Sequence, residues 1–349
     1  MILVERKPLE TVADVRRALQ YAIEIEHSTI PPYLVALYSL GTAKNDAIRD
    51  ILRGIVIQEM GHFALAANIL IALGGTPRFT DPAFVPNYPG GLPFKIGDRD
   101  GNALVVHLAP FSIELVRDTF MVIESPEDPL HFQVKPHPAL FAALAVDQET
   151  YQTIGEFYDA LKAKLTDLGD DAFTGKDRPQ PTGFPGDVFA IRSLADALRA
   201  IDLIVQQGEG TKTTPLAGGG TAVAHYYRFE QIVKGFALVA DPSVPEKYSY
   251  SGEPIPFDPS VVAPILTDAK TSDYADGSMA RRVALQFDTA YAGLLAALEA
   301  AFAGAPDALT NAIGMMYDLM IFAQKLMATP AGNGKTAAPT FEFPVPVAP

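Results

Sequence analysis

Glu59 and His62, in the run Ile55-Val56-Ile57-Gln58-Glu59-Met60-Gly61-His62-Phe63, set a carboxylate and an imidazole three residues apart. On a helix that spacing sends both side chains off one face, where they can share a metal ion or a proton. The face is otherwise apolar: between Asn45 and Leu73, the residues Ile48, Leu52, Ile55, Glu59, His62, Ala66, Ile69 and Leu73 recur at steps of three and four. The pair therefore falls inside a buried stripe. An ionised carboxylate taken out of water alone costs several kcal/mol, so Glu59 must have a partner there. A Glu-His ion pair meets that need, and so does a metal; the rest of the chain decides between them.

Two other stretches carry the same anomaly. From Thr11 to Leu40, with Thr11 as cap, Val12, Val15, Leu19, Ala22 and Glu26 step by three and four, so Glu26 replaces a core residue. Pro31-Pro32 follows a turn later and predicts a kink or break, since proline removes a donor and clashes with the preceding turn. From about Ala222, His225, Phe229, Ile232 and Phe236 continue the stepping and put an imidazole on an apolar stripe. Glu26, Glu59, His62 and His225 thus come from three helices and share one oddity. Carboxylates and imidazoles together suit hard or borderline divalent metals, and facing helices of a four-helix bundle can aim them inward. A di-metal bundle of this kind takes one Glu from each of two helices and a Glu plus a His from each of the other two. The first two helices fit that rule. The remaining carboxylate positions are open among Glu114, Glu124, Glu149, Glu156 and Glu209. Glu209 flanks a face marked by Ile201, Val205 and Gly208, whereas Glu156 lies opposite the stripe of Ile154, Phe157, Leu161 and Leu165.

Composition narrows the partners. With 349 residues, 48% of them hydrophobic and 19% charged, the chain can bury a sizeable core. A formal charge of -14 repels nucleic acid and anionic membrane surfaces, so neither is expected as a partner. The absence of cysteine removes disulfides, iron-sulfur clusters and thiolate zinc sites, leaving oxygen and imidazole ligands. The start Met-Ile-Leu-Val-Glu-Arg-Lys-Pro lacks the pattern of a signal peptide, and no apolar stretch is expected to span a membrane; the expected location is cytoplasmic.

The elements that must position these residues read as helices between proline-rich loops, all within one domain over 1–349. Bundle helices are expected at about 11–40, 45–73, 147–168 and 193–236, with further helical patterning from Pro110 to Glu124. Residues 74–101 form a long loop rich in proline and glycine. Gly218-Gly219-Gly220 lacks the Gly-Lys-Ser/Thr ending of a phosphate loop and reads as a flexible connection. A wrapping segment covers 240–276, and two C-terminal helices within 279–328 follow, the second carrying Met315, Met316, Met320 and Met327 as core.

The blocks Glu-His-Ser-Thr-Ile-Pro-Pro-Tyr-Leu at 26–34, Gln-Glu-Met-Gly-His at 58–62, Ile-Gly-Glu-Phe-Tyr at 154–158 and Gln-Gly-Glu-Gly at 207–210 resemble the ferritin-like domain of iminophenylpyruvate dimer synthases. His225-Tyr226-Tyr227-Arg228-Phe229 and Pro339-Thr340-Phe341-Glu342 extend the resemblance over nearly the whole chain. It implies a mainly α, ferritin-like four-helix bundle with long crossover loops, whose metal ligands are Glu26, Glu59, His62, Glu156, Glu209 and His225. By the same analogy Glu59 and Glu156 bridge the ions. One departure stands out: Glu209 and His225 are sixteen positions apart (225 minus 209) where a bundle helix would place them three apart. The pigment-pathway synthases of this type are longer and add a haem-containing portion for which this chain has no room, so their coupling of amino-acid-derived imines transfers less well than the metal site.

The expected cofactor is two metal ions, iron or else manganese, and the expected activity is oxygen- or peroxide-dependent oxidation of a small organic, amino-acid-derived substrate. The alternatives are a metal-binding protein without catalysis and a carrier or partner-binding protein on the same fold. The apolar terminal helices would suit a homodimer. His27 should point around the helix from Glu26, to the surface or to a position behind the ligands. Tyr33, Tyr226 and Arg228 are candidates to orient ligands. His131 and His137 lie in a proline-rich loop outside the bundle.

Overall fold

Thr11 starts the first helix with a reciprocal cap: its hydroxyl accepts from Asp14 N–H at 3.2 Å, and its own N–H donates to Asp14 Oδ2 at 2.9 Å. From there α1 (Val12–Ser39) runs 28 residues without a break, through Pro31 and Pro32. The break expected as one outcome at these prolines is absent. Pro32 leaves the Ser28 carbonyl without its ladder donor, and the Tyr88 hydroxyl supplies one at 2.7 Å from the loop that follows the second helix. The computed structural model describes residues 4–5, 9–91, 104–126, 129–134, 150–151, 153–183, 187–217, 220–305 and 308–343.

A short turn ending at Asn45, in the left-handed region at φ 64, leads into α2 (Asp46–Ala72). Asn45 ties that turn to the backbone of Asp258, donating to its carbonyl at 3.0 Å and accepting from its N–H at 2.7 Å. Contrary to the sequence-based expectation, α2 is long and apolar enough to cross a membrane by length and composition alone. In this fold 83% of its most apolar window is buried inside the protein, and it is the core helix.

The patterned stretch 110–124 forms α3 (Ile113–Leu115), a π-helical turn (Val116–Phe120) and α4 (Met121–Ile123), with Glu124 as the closing residue. Helix α5 (Ile154–Leu168) is capped by Thr153, whose hydroxyl accepts from Glu156 N–H at 3.1 Å. The expected start at 147 lies outside the described residues. The bundle segment 193–236, expected to be interrupted by the glycine-rich loop, forms α6 (Leu194–Glu209) and α7 (His225–Lys234). Gly210 ends α6 at φ 81, a conformation glycine takes without a steric penalty. The loop returns with Ala224 N–H on the Pro215 carbonyl at 2.9 Å, which sets the start of α7.

Beyond α7, strands β2 (Phe236–Ala240) and β3 (Tyr248–Pro254) pair antiparallel, and β1 (Gln133–Val134) joins β3 in parallel. Helices α8 (Met279–Phe302) and α9 (Ala308–Met327) form a hairpin. The α1–α2 pair packs against α5, α6 and α7 on one face and against α8–α9 on another. The chemistry sits on the first of these faces. The architecture is mainly α, as the sequence predicts.

The closing segment is clamped to α8 by Asp288, which is 2% exposed. Its carboxylate accepts from Thr271 and Thr340 hydroxyls, both at 2.6 Å, and from Glu342 N–H at 3.1 Å. Burial outweighs these bonds and raises its pKa from 3.8 to about 6. Folding therefore favours the protonated carboxyl; the stability it contributes is complete below about 3.8 and lost as pH rises through about 6. Against wild type, Asp288→Asn should gain stability on going from pH 5 to pH 8, by on the order of 1–1.5 kcal/mol. Denaturant midpoints of both proteins at the two pH values test this; parallel shifts would refute it.

Candidate metal centre

Four side chains of the α1, α2 and α7 stripes converge on one buried point, together with Glu124. Glu26 from α1, Glu59 and His62 from α2, Glu124 from the end of α4 and His225 from the first position of α7 are all at most 5% exposed. They form two triads, Glu26-Glu59-His62 and Glu59-Glu124-His225, and within each the potential ligand atoms lie within 4.8 Å of one another. Glu59 belongs to both. Its Oε2 is 3.7 Å from His62 Nδ1, and its Oε1 is 2.7 Å from His225 Nδ1. Glu26 Oε2 stands 3.5 Å from His62 Nδ1, and Glu124 Oε2 stands 3.6 Å from His225 Nδ1. The two imidazole rings face each other with centroids 5.4 Å apart and planes 25° from parallel.

Every outer atom of this set is held. The Tyr158 hydroxyl of α5 donates to Glu26 Oε1 at 2.6 Å, and the Tyr33 hydroxyl of α1 donates to Glu124 Oε1 at 2.7 Å. His62 Nε2 is 2.9 Å from Gln207 Oε1, and His225 Nε2 is 3.1 Å from Gln58 Oε1. Arg228 Nη1 donates to the same Gln58 oxygen at 2.6 Å. A guanidinium only donates, so that amide atom is the oxygen, and His225 Nε2 must bring the proton to it. Gly54 makes the arrangement possible, because a Cβ there would overlap the Arg228 guanidinium.

This tautomer tests the site for a metal. With its proton on Nε2, a neutral His225 turns a bare Nδ1 toward Glu59 and Glu124. That atom is buried and has no hydrogen-bond partner in spite of its 2.7 Å approach to Glu59. A lone pair and a carboxylate at that distance repel unless a cation lies with them. Without a metal, protons take that role: burial disfavours the charged imidazoles, but the flanking carboxylates raise His62 well above its ordinary pKa and raise His225 as well. Burial would also raise Glu59, yet His225 and His62 hold it below the carboxylate range. Burial and the Glu59 charge raise Glu124, and burial takes Glu26 to about 7. Three carboxylates and two imidazoles converging in a dry site, each oriented from outside, fit divalent transition-metal ions.

Glu156 and Glu209 belong to neither triad. Glu209 accepts from Gly155 N–H at 2.8 Å, and both glutamates are half-buried along a cleft between α5 and α6 with Asp159, Lys162 and Asp202. From α5 it is Tyr158 that reaches the centre, and it occupies the buried stripe that excludes Glu156. Glu124 was among the open carboxylates, and its position carries a signal. A glutamate closing a helix works against the helix dipole, so an apolar run ending in one asks for another reason. The second Glu-x-x-His is missing as well: three residues before His225 stands Ala222, outside α7.

His27 is buried at 6% exposure, on the face of α1 that meets α8, and burial lowers its pKa to about 3. It is neither a surface residue nor placed behind the ligands. Tyr33 orients Glu124, and Arg228 acts on His225 through Gln58, by the bonds given above; Tyr226 packs on Tyr227, and Glu114 and His131 are exposed. Glu149 and His137 lie outside the described residues.

A family model described as ferritin-like matches residues 19–234. Dichlorochromopyrrolate synthase of Lentzea aerocolonigenes is 24% identical over 396 residues, covering 96% of this chain and 36% of that protein, so the chain spans about a third of this relative's length. The crystal structure of a ferritin-like protein from Caulobacter vibrioides matches with a TM-score of 0.61 at 24% identity, over 95% of this chain and 99% of that one.

Proposed function

This chain belongs to the ferritin-like family, and from that premise we propose that its centre holds two metal ions, iron or else manganese, and oxidises a small organic molecule with oxygen or peroxide. The observation that carries this reading is the shared Glu59: one carboxylate, two oxygens, each facing its own Glu-His pair. Glu26, His62 and Glu59 would hold one ion, and Glu124, His225 and Glu59 the other. Bound there, the ions would supply electron transfer to the oxidant and Lewis acidity toward the substrate.

The chain's own residues set the conditions for that chemistry. Tyr158 and Tyr33 pin the terminal carboxylates, and Gln58 and Gln207 fix the imidazole planes. Burial of all five ligands excludes bulk water and strengthens every charge interaction. Three carboxylates fall one charge short of neutralising two divalent ions, which favours an anionic or electron-rich group at the centre. Pro126, two residues beyond Glu124, and Thr153 stand on the wall of the cleft between α5 and α6. The relative's name describes a synthase of dichlorochromopyrrolate; for this shorter chain the proposed substrate class is a small amino-acid-derived imine, amine or aldehyde.

Anaerobic reconstitution with ferrous iron, elemental analysis and oxygen-electrode traces with such compounds test the proposal. About two equivalents of iron and substrate-dependent oxygen uptake are expected. Iron without any substrate-dependent uptake would make the protein a metal store, and less than about half an equivalent would remove the metal reading altogether.

A further inference from the structure

Glu26, Thr29 and Tyr33 follow one another on α1 at steps of three and four, so a single face carries a ligand, a hydroxyl and the tyrosine that holds Glu124. Thr29 is 1% exposed. Its hydroxyl lies 2.8 Å from the Glu26 carbonyl and 3.4 Å from Glu59 Oε2, across on α2. A bond to the carbonyl three residues back is the ordinary local habit of a helical threonine. The contact with Glu59 spans thirty residues of sequence and has no such explanation.

The outer bonds of the other ligands show what it does. Glu26 is held from outside by Tyr158, Glu124 by Tyr33, His62 by Gln207 and His225 by Gln58. Among the described residues, Thr29 is the one side chain beyond the five ligands that hydrogen-bonds to Glu59. The two oxygens of Glu59 are held unequally. Oε1 sits 2.7 Å from His225 Nδ1, whereas Oε2 stands 3.7 Å from His62 Nδ1, with the Thr29 hydroxyl nearer. A hydroxyl has one proton and rotates, so it can give that proton to the Glu26 carbonyl or to Oε2. A carboxylate oxygen has two lone pairs; Oε2 can accept on one and keep the other for an ion.

We propose that Thr29 is a positioning residue for the shared carboxylate: its hydroxyl turns from the Glu26 carbonyl to Glu59 Oε2 and fixes that oxygen for the Glu26-Glu59-His62 half of the centre. The inference rests on the di-metal reading and adds an inequality to it. The half that contains Glu124 and His225 uses Oε1, which is already placed, and does not depend on Thr29. The half that contains Glu26 and His62 does. Outer partners of this kind are worth roughly 10–100-fold in metal affinity, and here the factor falls on one ion of the two.

Anaerobic titration of the metal-free, full-length protein with cobalt(II), which accepts the same carboxylate and imidazole ligands, reads the two halves by visible absorption and needs no substrate. Thr29→Val keeps the branched shape and removes the hydroxyl. It should bind one ion as wild type does and the other roughly 10–100-fold more weakly. Thr29→Ser, which restores the hydroxyl, should bring the second affinity back to within about threefold of wild type. In the Glu124→Ala background, where the Glu26 half alone remains, Thr29→Val should weaken the single ion by the same factor. A threonine with a merely structural role would weaken both halves alike and would not be rescued by serine. If Thr29→Val fails to fold, Thr29→Ala makes the same deletion. Two ions held at wild-type affinity without the hydroxyl would overturn the inference and leave the di-metal reading standing, as would equal weakening of both ions or a Thr29→Ser variant as weak as Thr29→Val. Wild-type protein that binds no cobalt would remove the di-metal reading and this inference with it.

Discussion

Glu59→Ala is expected to lose both metal ions together, leaving less than about half an equivalent after reconstitution where the wild type holds about two. The reason is its place in the set. Each Glu-His pair has its own terminal carboxylate, but Glu59 alone faces both imidazoles, with one oxygen toward each. Its removal also changes the metal-free protein. In that state burial opposes charge on His62 and His225 while the flanking carboxylates favour it, and the two rings, with centroids 5.4 Å apart, would lose the anion between them. Truncating one member of such a buried network costs about 3–5 kcal/mol, so a fall in thermal midpoint should accompany the loss of metal. Elemental analysis beside calorimetry separates the two effects. Unchanged metal content in a folded variant would end the reading of Glu59 as a ligand.

Glu124→Ala should behave differently, retaining about one equivalent in the Glu26-Glu59-His62 triad and losing the other. Glu124 contacts only the His225 half, through Oε2 at 3.6 Å, while its Oε1 takes the Tyr33 hydroxyl. Glu209→Ala and Glu156→Ala provide the contrast. Their carboxylates belong to the cleft between α5 and α6, and both variants should keep the full metal complement. If Glu209→Ala instead lost an ion while Glu124→Ala did not, the ligand set implied by family resemblance would be the correct one and the two triads would not be.

Most of this centre was legible, because Glu26, Glu59, His62 and His225 obey the period of the helices that carry them. Glu26, Glu59 and His62 stand at regular three- and four-residue steps on stripes that are otherwise Val, Leu, Ile and Ala, and a charged group in such a place has few explanations. Tyr158 lies on a regular stripe too, but a tyrosine among Phe157, Leu161 and Leu165 draws no attention. Glu124 was obscured for a geometric reason. The π-helical turn at Val116–Phe120 spends an extra residue per turn and rotates the residues beyond it, so a template of 3.6 residues cannot place it. Pairings across long sequence gaps, such as Gln207 with His62 or Gln58 with His225, depend on packing alone. The two amides do lie inside the blocks that resemble the dimer synthases, 58–62 and 207–210, beside the glutamates to which attention naturally goes. Pro31 and Pro32 misled in the other direction, because the rule that proline breaks helices assumes that no other donor reaches the orphaned carbonyl.

That substitute donor ties the rigidity of the metal site to a distant piece of chain. Prolines at 31 and 32 remove two ladder bonds just after the turn that carries Glu26, so α1 is softest where it needs to be stiff. The Ser28 carbonyl is held by Tyr88, some sixty residues away and buried at 2% exposure. The seating of that loop therefore adds to the helix's own hydrogen bonds in holding the turn next to Glu26. Slow hydrogen exchange across residues 26–33 then becomes a property of the loop's packing, and loosening the loop would loosen a ligand it never touches.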